Sequence, residues 1–453
     1  MKVAHYCIGE PYRRLGGLVS YVESMIEQQA KDPLLGQVYV IFPWFQSLLS
    51  KKCSLKIKRR NGKIVMVGIK NPNPESLLEG IRYPEKSISN PDLEDAFVNF
   101  INDNCIDIVH FHTFYCLSAN LLSALKKQDV KIIFSVHDYQ ALCPTINLLD
   151  PAKEKCDDTQ NGIKCIQCNR LALTRTKHYI RNNRMCQYIQ SYNQIKSFAK
   201  KIVRSNASAY INFRQVIPNI DNANQYKLRQ ATYIHQINDN VDLIIYNSYL
   251  TKRIFTDFGV KCANEVIPVS HKNIKNKIEP FVVHFNPKGL KFGFMGGKRT
   301  EKGALELIDV FNSIFHENLQ DFELHLFGED SYNIHVPSGL SEKVVKHGFS
   351  RDNAYDYFDI LIVPSLWCET FGFIIPEALL NKKGIIASND IGALTFINDG
   401  AFTFKSFNEL KLIIKQFLTS DISFQFSGGF DNLPFPLHYQ ILSKSYKTLV
   451  SKR

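Results

Sequence analysis

The chain has 453 residues, of which 45% are hydrophobic and 12% aromatic, and its formal net charge is +12. This length exceeds what one hydrophobic core supports and predicts two or three globular domains. No signal-peptide pattern follows Met1, and no apolar run approaches the roughly 20 residues of a membrane helix, so we expect a cytoplasmic protein. There the 11 cysteines are expected to be reduced thiols, not a disulfide framework.

The positive charge is concentrated in one segment. Residues 161–238 contain 13 Lys or Arg and a single acid, Asp221, whereas the rest of the chain is close to neutral. Residues 169–235 read as a helical, amphipathic insertion in which cations such as Lys200, Lys201 and Arg204 alternate with aromatic side chains. This pattern is typical of a helix on an anionic membrane surface, and a solvated insertion is the alternative. Nucleic-acid binding is disfavoured because no recognised motif accompanies the charge.

The first half of the chain alternates predicted strands with predicted helices. Strands are predicted at residues 2–8, 37–42, 63–67, 106–112, 131–138 and 242–246. Helices are predicted at residues 18–26, 93–101, 120–127 and 249–258. Such alternation indicates an α/β fold with a doubly wound parallel sheet. In this architecture ligands bind at the carboxyl ends of the strands.

Glycines and histidines occupy the predicted strand ends. Gly16 and Gly17 lie at the first strand-to-helix turn, where glycine lets the backbone approach a ligand closely. An ordinary tight turn is the alternative, and without a G-x-G-x-x-G pattern a dinucleotide site is not supported. His110, His112 and His137 end two further strands and are expected to face the crevice. The alternative for each is a hydrogen-bonded structural histidine.

Four of the cysteines fall within 26 residues: Cys143, Cys156, Cys165 and Cys168. Four thiolates from a short segment suit a tetrahedral zinc ion. Only the last two form a C-x-x-C knuckle, so the spacing is not that of a common zinc finger. A structural zinc site and a group of reduced, packed cysteines both remain open. A site closed by four sulfurs leaves no position for catalysis, so its metal would hold a loop in place.

A second set of alternating elements begins near residue 290. Strands are predicted at residues 290–295, 322–328, 344–349, 359–364 and 385–388, and helices at residues 304–315 and 437–450. The turn after the first of these strands combines the glycines Gly296 and Gly297 with the cations Lys298, Arg299 and Lys302. Paired glycines and three cations at a strand-to-helix turn predict a diphosphate cradle. It is not a P-loop, because the spacing differs.

The most informative stretch runs from Glu369 to Glu377, directly after the strand predicted at residues 359–364. Its two carboxylates flank a strand-to-helix turn through Thr370, Phe371 and Gly372. Such a turn brings backbone N–H groups together and favours an anion. The alternative is a helix start whose acidic residues only complement the helix dipole. Because both glutamates lie on one turn, they do not fit acid/base catalysis across a glycosidic bond.

Together these features resemble the family 4 glycosyltransferases, which have the GT-B fold of two Rossmann-like domains facing a cleft. Six sequence elements carry the resemblance in order: G-G-L-x-x-Y-V from Gly16, D-I-V-H-x-H from Asp107, H-D-Y from His137, N-S from Asn247, E-K-G from Glu301, and E-x7-E from Glu369 to Glu377. The resemblance implies an N-terminal acceptor-side domain at 1–270, with the cysteine-rich loop 143–168 and the insertion 169–235. It also implies a linker at 271–289 and a nucleotide-sugar domain at 290–434. A terminal helix at 435–453 would pack back on the first domain.

The resemblance implies transfer of a sugar from a nucleotide diphosphate sugar with retention of anomeric configuration and without a catalytic cofactor. It places Glu369, His137 and Lys302 at the reacting sugar and diphosphate. It assigns donor contacts to a larger set: Gly17, Gly297, Lys298, Arg299, Phe371, Gly372 and Glu377. Glu377 would accept hydrogen bonds from the ribose. This chain has Gly297 where the family usually has a phosphate-binding arginine, so Lys298 or Arg299 would supply that charge.

The family and the basic insertion together predict a role in bacterial surface polysaccharide synthesis, such as lipopolysaccharide or capsule. The acceptor would be a glycan or a lipid-linked sugar, and the protein would sit peripherally at the inner membrane face. The missing arginine at Gly297 leaves an alternative, a catalytically silent GT-B scaffold in an assembly complex.

Overall fold

The computed structural model describes the whole chain except residues 15, 48–49, 78, 184–219, 329, 349–353, 432 and 452–453. Most of the predicted basic insertion, including Lys200, Lys201 and Arg204, therefore lies outside the described residues. Among the helices that are described, none combines the length and the apolar character needed to cross a membrane.

The first sheet has eight strands in the order β3-β4-β2-β1-β5-β6-β7-β8. The strands are β1 Val3–Tyr6, β2 Val38–Phe45, β3 Ser54–Asn61, β4 Ile64–Lys70, β5 Ile108–Phe111, β6 Lys131–Val136, β7 Leu243–Tyr246 and β8 Asn264–Val266. Neighbours pair in parallel except at the edge, where β3 runs antiparallel to β4. The strand order reverses between β1 and β5, so the turns that follow these two strands open a crevice.

The second sheet has six parallel strands in the order β12-β11-β10-β13-β14-β15. They are β10 Leu290–Phe294, β11 Phe322–Phe327, β12 Val344–Gly348, β13 Ile360–Val363, β14 Gly384–Ser388 and β15 Phe402–Phe404. The order reverses between β10 and β13. A separate antiparallel pair joins β9, Phe281–Phe285, to β16, Ile422–Phe426. The β9 strand lies within residues 271–289, the stretch predicted as a linker.

Helices cover both sheets, as the alternating sequence pattern predicts. They are α1 Gly17–Lys31, α2 Pro84–Ile88, α3 Pro91–Asp103, α4 Leu121–Lys126, α5 Ile163–Cys168, α6 Arg175–Asn182, α7 Ile220–Asn240, α8 Tyr249–Asp257, α9 Ala304–His316, α10 Ile374–Leu380, α11 Phe407–Thr419 and α12 Phe435–Ser451. Local capping fixes some boundaries. Ser248 begins α8 with a capping box in which its hydroxyl accepts from the Thr251 N–H. The structure confirms the predicted α/β class with doubly wound sheets.

Helix α12 returns from the second domain to the first. The Tyr446 hydroxyl lies 2.5 Å from His110 Nδ1, and His438 Nε2 lies 3.1 Å from the Tyr21 hydroxyl. The Tyr439 hydroxyl donates to Asp32 at 3.0 Å. These contacts join residues more than 300 positions apart in sequence, so α12 ties the two domains together behind the cleft.

Candidate functional site

The site in the second domain lies where its strand order reverses. Because β10 and β13 are neighbours, the turns at residues 295–303 and 364–373 leave the same edge of the sheet side by side. A backbone hydrogen bond joins the two turns, from Leu366 N–H to the Glu301 carbonyl at 3.0 Å. Ligands of open α/β sheets bind at such a reversal, outside the carboxyl ends of the strands.

A buried ion pair joins the two turns. Lys302 Nζ lies 2.6 Å from Glu369 Oε1, and the side chains are 17% and 10% exposed. The Ser365 hydroxyl donates to the other carboxylate oxygen at 2.8 Å. The ammonium also lies 5.7 Å from the centre of the Trp367 ring, within cation–π distance. Each glutamate oxygen thus has one partner, and within the described part of the chain Glu369 is the acceptor that Lys302 Nζ bonds to.

The pair determines the charge of Glu369. Burial alone would raise the pKa of this carboxyl, but the adjacent Lys302 ammonium, the Ser365 hydroxyl and the charge of Arg299 together lower its pKa below the usual value. Glu369 is therefore a carboxylate at neutral pH. A carboxylate held in this state accepts hydrogen bonds from hydroxyl groups and cannot serve as a general acid.

Gly297 adopts a left-handed backbone conformation, with φ of 58°, and its N–H donates to the Phe327 carbonyl at 3.0 Å. The Cα of Gly328 packs closely against this glycine, since a Cβ on Gly328 would lie 2.6 Å from the Gly297 Cα. A non-glycine residue at 297 would be strained in this conformation. The nearby cations Lys298 and Arg299 are exposed, and Arg299 forms an ion pair with Glu301.

The Glu369 to Gly372 segment is held against the strand end of β14. Glu369 N–H donates to the Asp390 carbonyl at 2.8 Å, and Phe371 accepts from Ala393 N–H at 2.7 Å. Gly372 has φ of 90°, and a Cβ there would lie 2.8 Å from Ile391 Cγ2, so the turn requires glycine. The Phe371 side chain is buried in the domain core. Its contribution to the site is therefore through its backbone.

Glu377 lies at the other end of this stretch, on α10. Its Oε2 accepts from the Tyr355 hydroxyl at 2.7 Å, and its Oε1 lies 3.1 Å from His271 Nε2. The carboxylate keeps 31% of its side-chain surface exposed. Two partners fix its orientation while the oxygens remain able to accept further hydrogen bonds.

The first domain meets this turn directly. A Cβ built on Gly17 would lie 3.2 Å from the Phe373 ring, so the two domains are in close contact there. The Thr370 hydroxyl donates to the His137 carbonyl at 3.0 Å, and the Ser248 hydroxyl donates to the Thr370 carbonyl at 2.7 Å. Gly17 and His137 therefore lie on the first domain, facing the Glu369 to Glu377 stretch of the second.

A chain of buried histidines runs inward from His137. His137 Nε2 lies 3.3 Å from His112 Nδ1, and His112 Nε2 lies 2.9 Å from His5 Nδ1. His5 Nε2 in turn lies 2.7 Å from the Gln29 side-chain oxygen, which accepts a hydrogen bond from it. Burial, and then the charge of His438, lower the pKa of His137 to about 3. The ring is therefore neutral at pH 7.

His110 is a hydrogen-bonded structural histidine, which was the alternative to a position facing the crevice. Its Nδ1 is bonded to the Tyr446 hydroxyl and its Nε2 to Ser135 Oγ at 2.7 Å. Both ring nitrogens are occupied, and the side chain is fully buried. The four cysteines predicted as a possible zinc site lie away from the cleft. Cys143, Cys156, Cys165 and Cys168 line one small cavity of the first domain.

Several residues at the site carry no signal in the sequence that would have marked them. Tyr355 and His271 orient Glu377 from 22 and 106 residues away, and Ser248 reaches Thr370 from 122 residues away. His271 falls in the stretch predicted as a linker. Ser365 is the exception, because it lies only four residues before Glu369 in sequence and its hydroxyl can donate a hydrogen bond to a carboxylate.

Residues 275–424 match the family model of glycosyl transferases group 1. Comparison with curated proteins gives no match. Among solved structures, sucrose-phosphate synthase from Thermosynechococcus elongatus is similar over 100% of both chains, with 13% identity and a TM-score of 0.59. A glycosyltransferase from Rickettsia africae covers 100% of this chain and 99% of its own, with 14% identity and a TM-score of 0.54.

A third similar structure is HepE from Anabaena in complex with UDP, which has 13% identity and a TM-score of 0.51. It covers 100% of this chain and 98% of its own. At these identities the likeness concerns the fold. The chain therefore has the two-domain GT-B fold, and residues 275–424, which carry both turns of the site, match the glycosyl transferases group 1.

Proposed function

We propose that the protein is a retaining glycosyltransferase that moves a sugar from a nucleotide diphosphate sugar to a glycan or lipid-linked acceptor. The observation that carries the proposal is the buried Lys302–Glu369 ion pair at the strand-order reversal of the second domain. The family match over residues 275–424 and the similarity to HepE, which was solved with UDP, support the same donor class.

The proposed chemistry divides between the two turns. When the bond to the sugar breaks, its electron pair passes to the diphosphate oxygen, and preorganised cations stabilise the growing charge. Lys302 would donate to this oxygen, and Lys298 and Arg299 add positive charge at the mouth of the same turn. The exposed Arg299 lies near enough to lower the pKa of Glu369. This supports the proposal that Arg299 takes the place of the arginine that the family usually has at the position of Gly297.

The carboxylates would bind the donor's hydroxyl groups. Glu369, ionised by Lys302, accepts hydrogen bonds from the sugar, and Glu377, held by Tyr355 and His271, accepts them from the ribose. Backbone N–H groups near Phe371 and Gly372 would contact sugar or phosphate. His137 would line the sugar from the first domain, and Gly17 would allow the donor and acceptor to approach. Retention means that the new bond forms on the face the diphosphate leaves.

We further propose that the acceptor belongs to bacterial surface polysaccharide synthesis, with the protein acting at the inner face of the membrane. The basic character of residues 161–238 supports this, since a cationic surface is attracted to anionic lipid headgroups. In the described part of this segment, Arg175, Lys177 and Arg181 of α6 are exposed, and Arg181 forms an ion pair with Glu79.

Calorimetry with a panel of nucleotide diphosphate sugars, followed by an assay for released nucleoside diphosphate, tests the proposal. We expect one donor class to bind and to turn over, at least slowly by hydrolysis without acceptor. Binding without turnover in the presence of membrane-extracted glycolipids would favour the catalytically silent scaffold. Absence of binding by every donor would contradict both functions.

A further inference from the structure

Four cysteines of the first domain line one small cavity of ≈ 10 Å³, room for a single ion or water. They are Cys143, Cys156, Cys165 and Cys168, and all are free thiols. Leu142, Leu148 and Leu149 form much of the remaining wall. This cavity is separate from the sugar-transfer site, and the proposed glycosyl transfer gives it no role.

Local structure brings the four thiols to this cavity. Cys165 and Cys168 lie on α5 three residues apart, so their side chains project from the same face. Cys143 lies in a turn in which its own N–H donates to the Tyr139 carbonyl at 2.7 Å. Cys156 is fixed by its N–H, which donates to the Leu148 carbonyl at 2.8 Å. The ligating atoms thus come from a helix and from both ends of one loop.

The thiols are close enough to influence one another. Burial, then Cys143, raises the pKa of Cys156 to about 11, and burial, then Cys143 and Cys156, raises that of Cys165 to about 12. Burial, then the other three cysteines, raises the pKa of Cys168. Four thiols that line one mostly apolar cavity are a set of soft ligands.

A buried cation stands beside this set. Arg229 is 0% exposed, and its Nη2 donates to the Gln140 carbonyl at 2.7 Å. No described residue accepts a hydrogen bond from its Nε or Nη1. Its charge acts on the Cys165 thiol and lowers that thiol's pKa. The guanidinium also acts on the buried carboxyls of Glu75 and Asp138, so a set of thiolates would be a further negative partner for it.

We propose that Cys143, Cys156, Cys165 and Cys168 together bind one structural Zn²⁺ ion. The four thiols release four protons to solvent, so the site carries a charge of −2 that Arg229 partly compensates. Tetrahedral zinc holds sulfur at about 2.3 Å, so the sulfurs close to about 3.8 Å from one another by side-chain rotation. With four sulfurs bound, no position remains for water or substrate.

Among the described residues, His5, His110 and His112 are the group in which one ring nitrogen of each already lies within 4.8 Å of the others, a spacing that the four cysteine sulfurs reach only after side-chain rotation. Their ring nitrogens already bond to Gln29, Ser135, Tyr446 and one another. A metal would have to break this network. In the cysteine cavity a metal would replace only single contacts, of Cys143 Sγ with the Thr145 hydroxyl and of Cys156 Sγ with the Asp158 carbonyl, so this cavity is the better zinc site.

The zinc would anchor a strap that crosses the cleft. Between Cys143 and Cys156, Lys153 pairs with Glu306 and Lys155 with Asp390, both in the second domain. Asp390 also accepts the Glu369 N–H through its carbonyl at 2.8 Å. The ion would therefore fix a loop that reaches the edge of the site described above.

Zinc analysis of protein purified without chelator tests the site. We expect one equivalent per chain, retained on dialysis and released as an organomercurial titrates the four thiols. Cys165→Ser with Cys168→Ser should abolish the zinc, whereas the control Cys105→Ser, at an exposed cysteine, should keep it. Less than about half an equivalent in the native protein, or full zinc in the double variant, would overturn the proposal.

Trypsin cleavage after Lys153 and Lys155 tests the strap on the unaltered chain. A strong zinc chelator should speed this cleavage at least tenfold, and added zinc should restore the slow rate. Unchanged cleavage after confirmed zinc loss would show that the metal does not hold the strap. Neither measurement depends on glycosyl transfer, so each outcome leaves the proposed function to its own test.

Discussion

At the scale of single residues, the candidate site rests on one charge pair whose members need each other. Glu369 is buried, and its ionised state depends on Lys302 at 2.6 Å. Lys302 in turn is only 17% exposed. Removing either partner alone leaves a buried charge without a counter-ion, which is far more costly than losing an exposed pair.

We predict that Lys302→Met lowers the rate of nucleoside diphosphate release by about 100- to 1,000-fold, as removal of one preorganised charge-stabilising donor does elsewhere. The matched control is Lys291→Met, an exposed lysine on β10 that pairs with Glu323 away from the turns. It should leave the rate unchanged. Steady-state kinetics on the donor that turns over provides the measurement.

Lys302→Met also leaves Glu369 unpaired, so its loss of activity needs a control for folding. The double variant Lys302→Met with Glu369→Gln removes both charges, so it should recover most of the thermal stability lost by the single variant while staying inactive. If Lys302→Met retains more than about a tenth of the wild-type rate, Lys302 does not stabilise the leaving diphosphate.

The residues of the site divide sharply into those that the sequence predicts and those it does not. Glu369, Glu377 and Lys302 follow buried strands and lie together because those strands are neighbours. Tyr355 and His271, which orient Glu377, are brought in by tertiary packing from distant segments. Short-range patterns carry no information about such contacts, and a lone histidine in a polar stretch reads as a surface residue.

At the scale of elements, the buried parallel strands are predictable because they are short, continuous apolar runs. The strand β3 was missed because five of its eight residues are exposed and it contains four Lys or Arg, which suits an edge strand but masks the pattern. The strand β9 was missed because its antiparallel partner β16 lies more than 130 residues away. Its five residues are mostly apolar, but the run is short and follows the lysine- and asparagine-rich residues 271–277, which are typical of a linker.

The ends of β1, β5 and β6 place buried histidines next to one another, and this affects stability. Burial lowers the pKa of His5 and His438 to about 4 and that of His137 to about 3, and the pKa values of His110 and His112 lie well below the usual value. Unfolded histidines titrate near 6.5, so between about pH 6.5 and 4 the unfolded chain binds protons that the folded chain does not.

We therefore predict that the free energy of unfolding falls as pH drops from 7 to 5. Each such histidine contributes a slope of up to about 1.4 kcal/mol per pH unit in this window. Asp138, whose pKa burial raises to about 6, acts in the opposite direction but is outnumbered. Urea unfolding at pH 7.0, 6.0 and 5.0 is the measurement.

His438→Gln should reduce this pH dependence, whereas His235→Gln, at an exposed histidine, should leave it unchanged. A free energy of unfolding that stays flat or rises between pH 7 and 5 would contradict the neutral, buried state of the histidines.

At the scale of the whole molecule, two domains share a cleft, and α12 and the loop that carries Lys153 and Lys155 both link them. The GT-B arrangement was predictable from the order of the motifs. The contacts between the domains were not, since they depend on how separate sheets pack. The basic segment is the other feature at this scale, because its excess accounts for the net charge of the whole chain.

We predict that the purified protein co-sediments with vesicles containing anionic lipid at low salt and is released at high salt. Replacing Lys200, Lys201 and Arg204 with glutamine should weaken this binding by tenfold or more, since each cation near the surface contributes about 1 kcal/mol. The control replaces three exposed lysines outside the segment, Lys275, Lys277 and Lys288, and should bind as the wild type does.

Absence of vesicle binding at any salt concentration would contradict the peripheral membrane role. An equal loss of vesicle binding in the control variant with three lysines replaced would show that binding depends on total charge. It would contradict a specific role of the basic segment.

The central claim is that the cleft transfers a sugar with retention, and NMR of the turnover reaction tests it most directly. With an α-linked nucleotide diphosphate sugar and a membrane-extracted acceptor, the anomeric proton of the donor should be replaced by that of a new α-linked product, with equimolar release of nucleoside diphosphate. A β-linked product, or no turnover of any donor in the panel, would contradict the account.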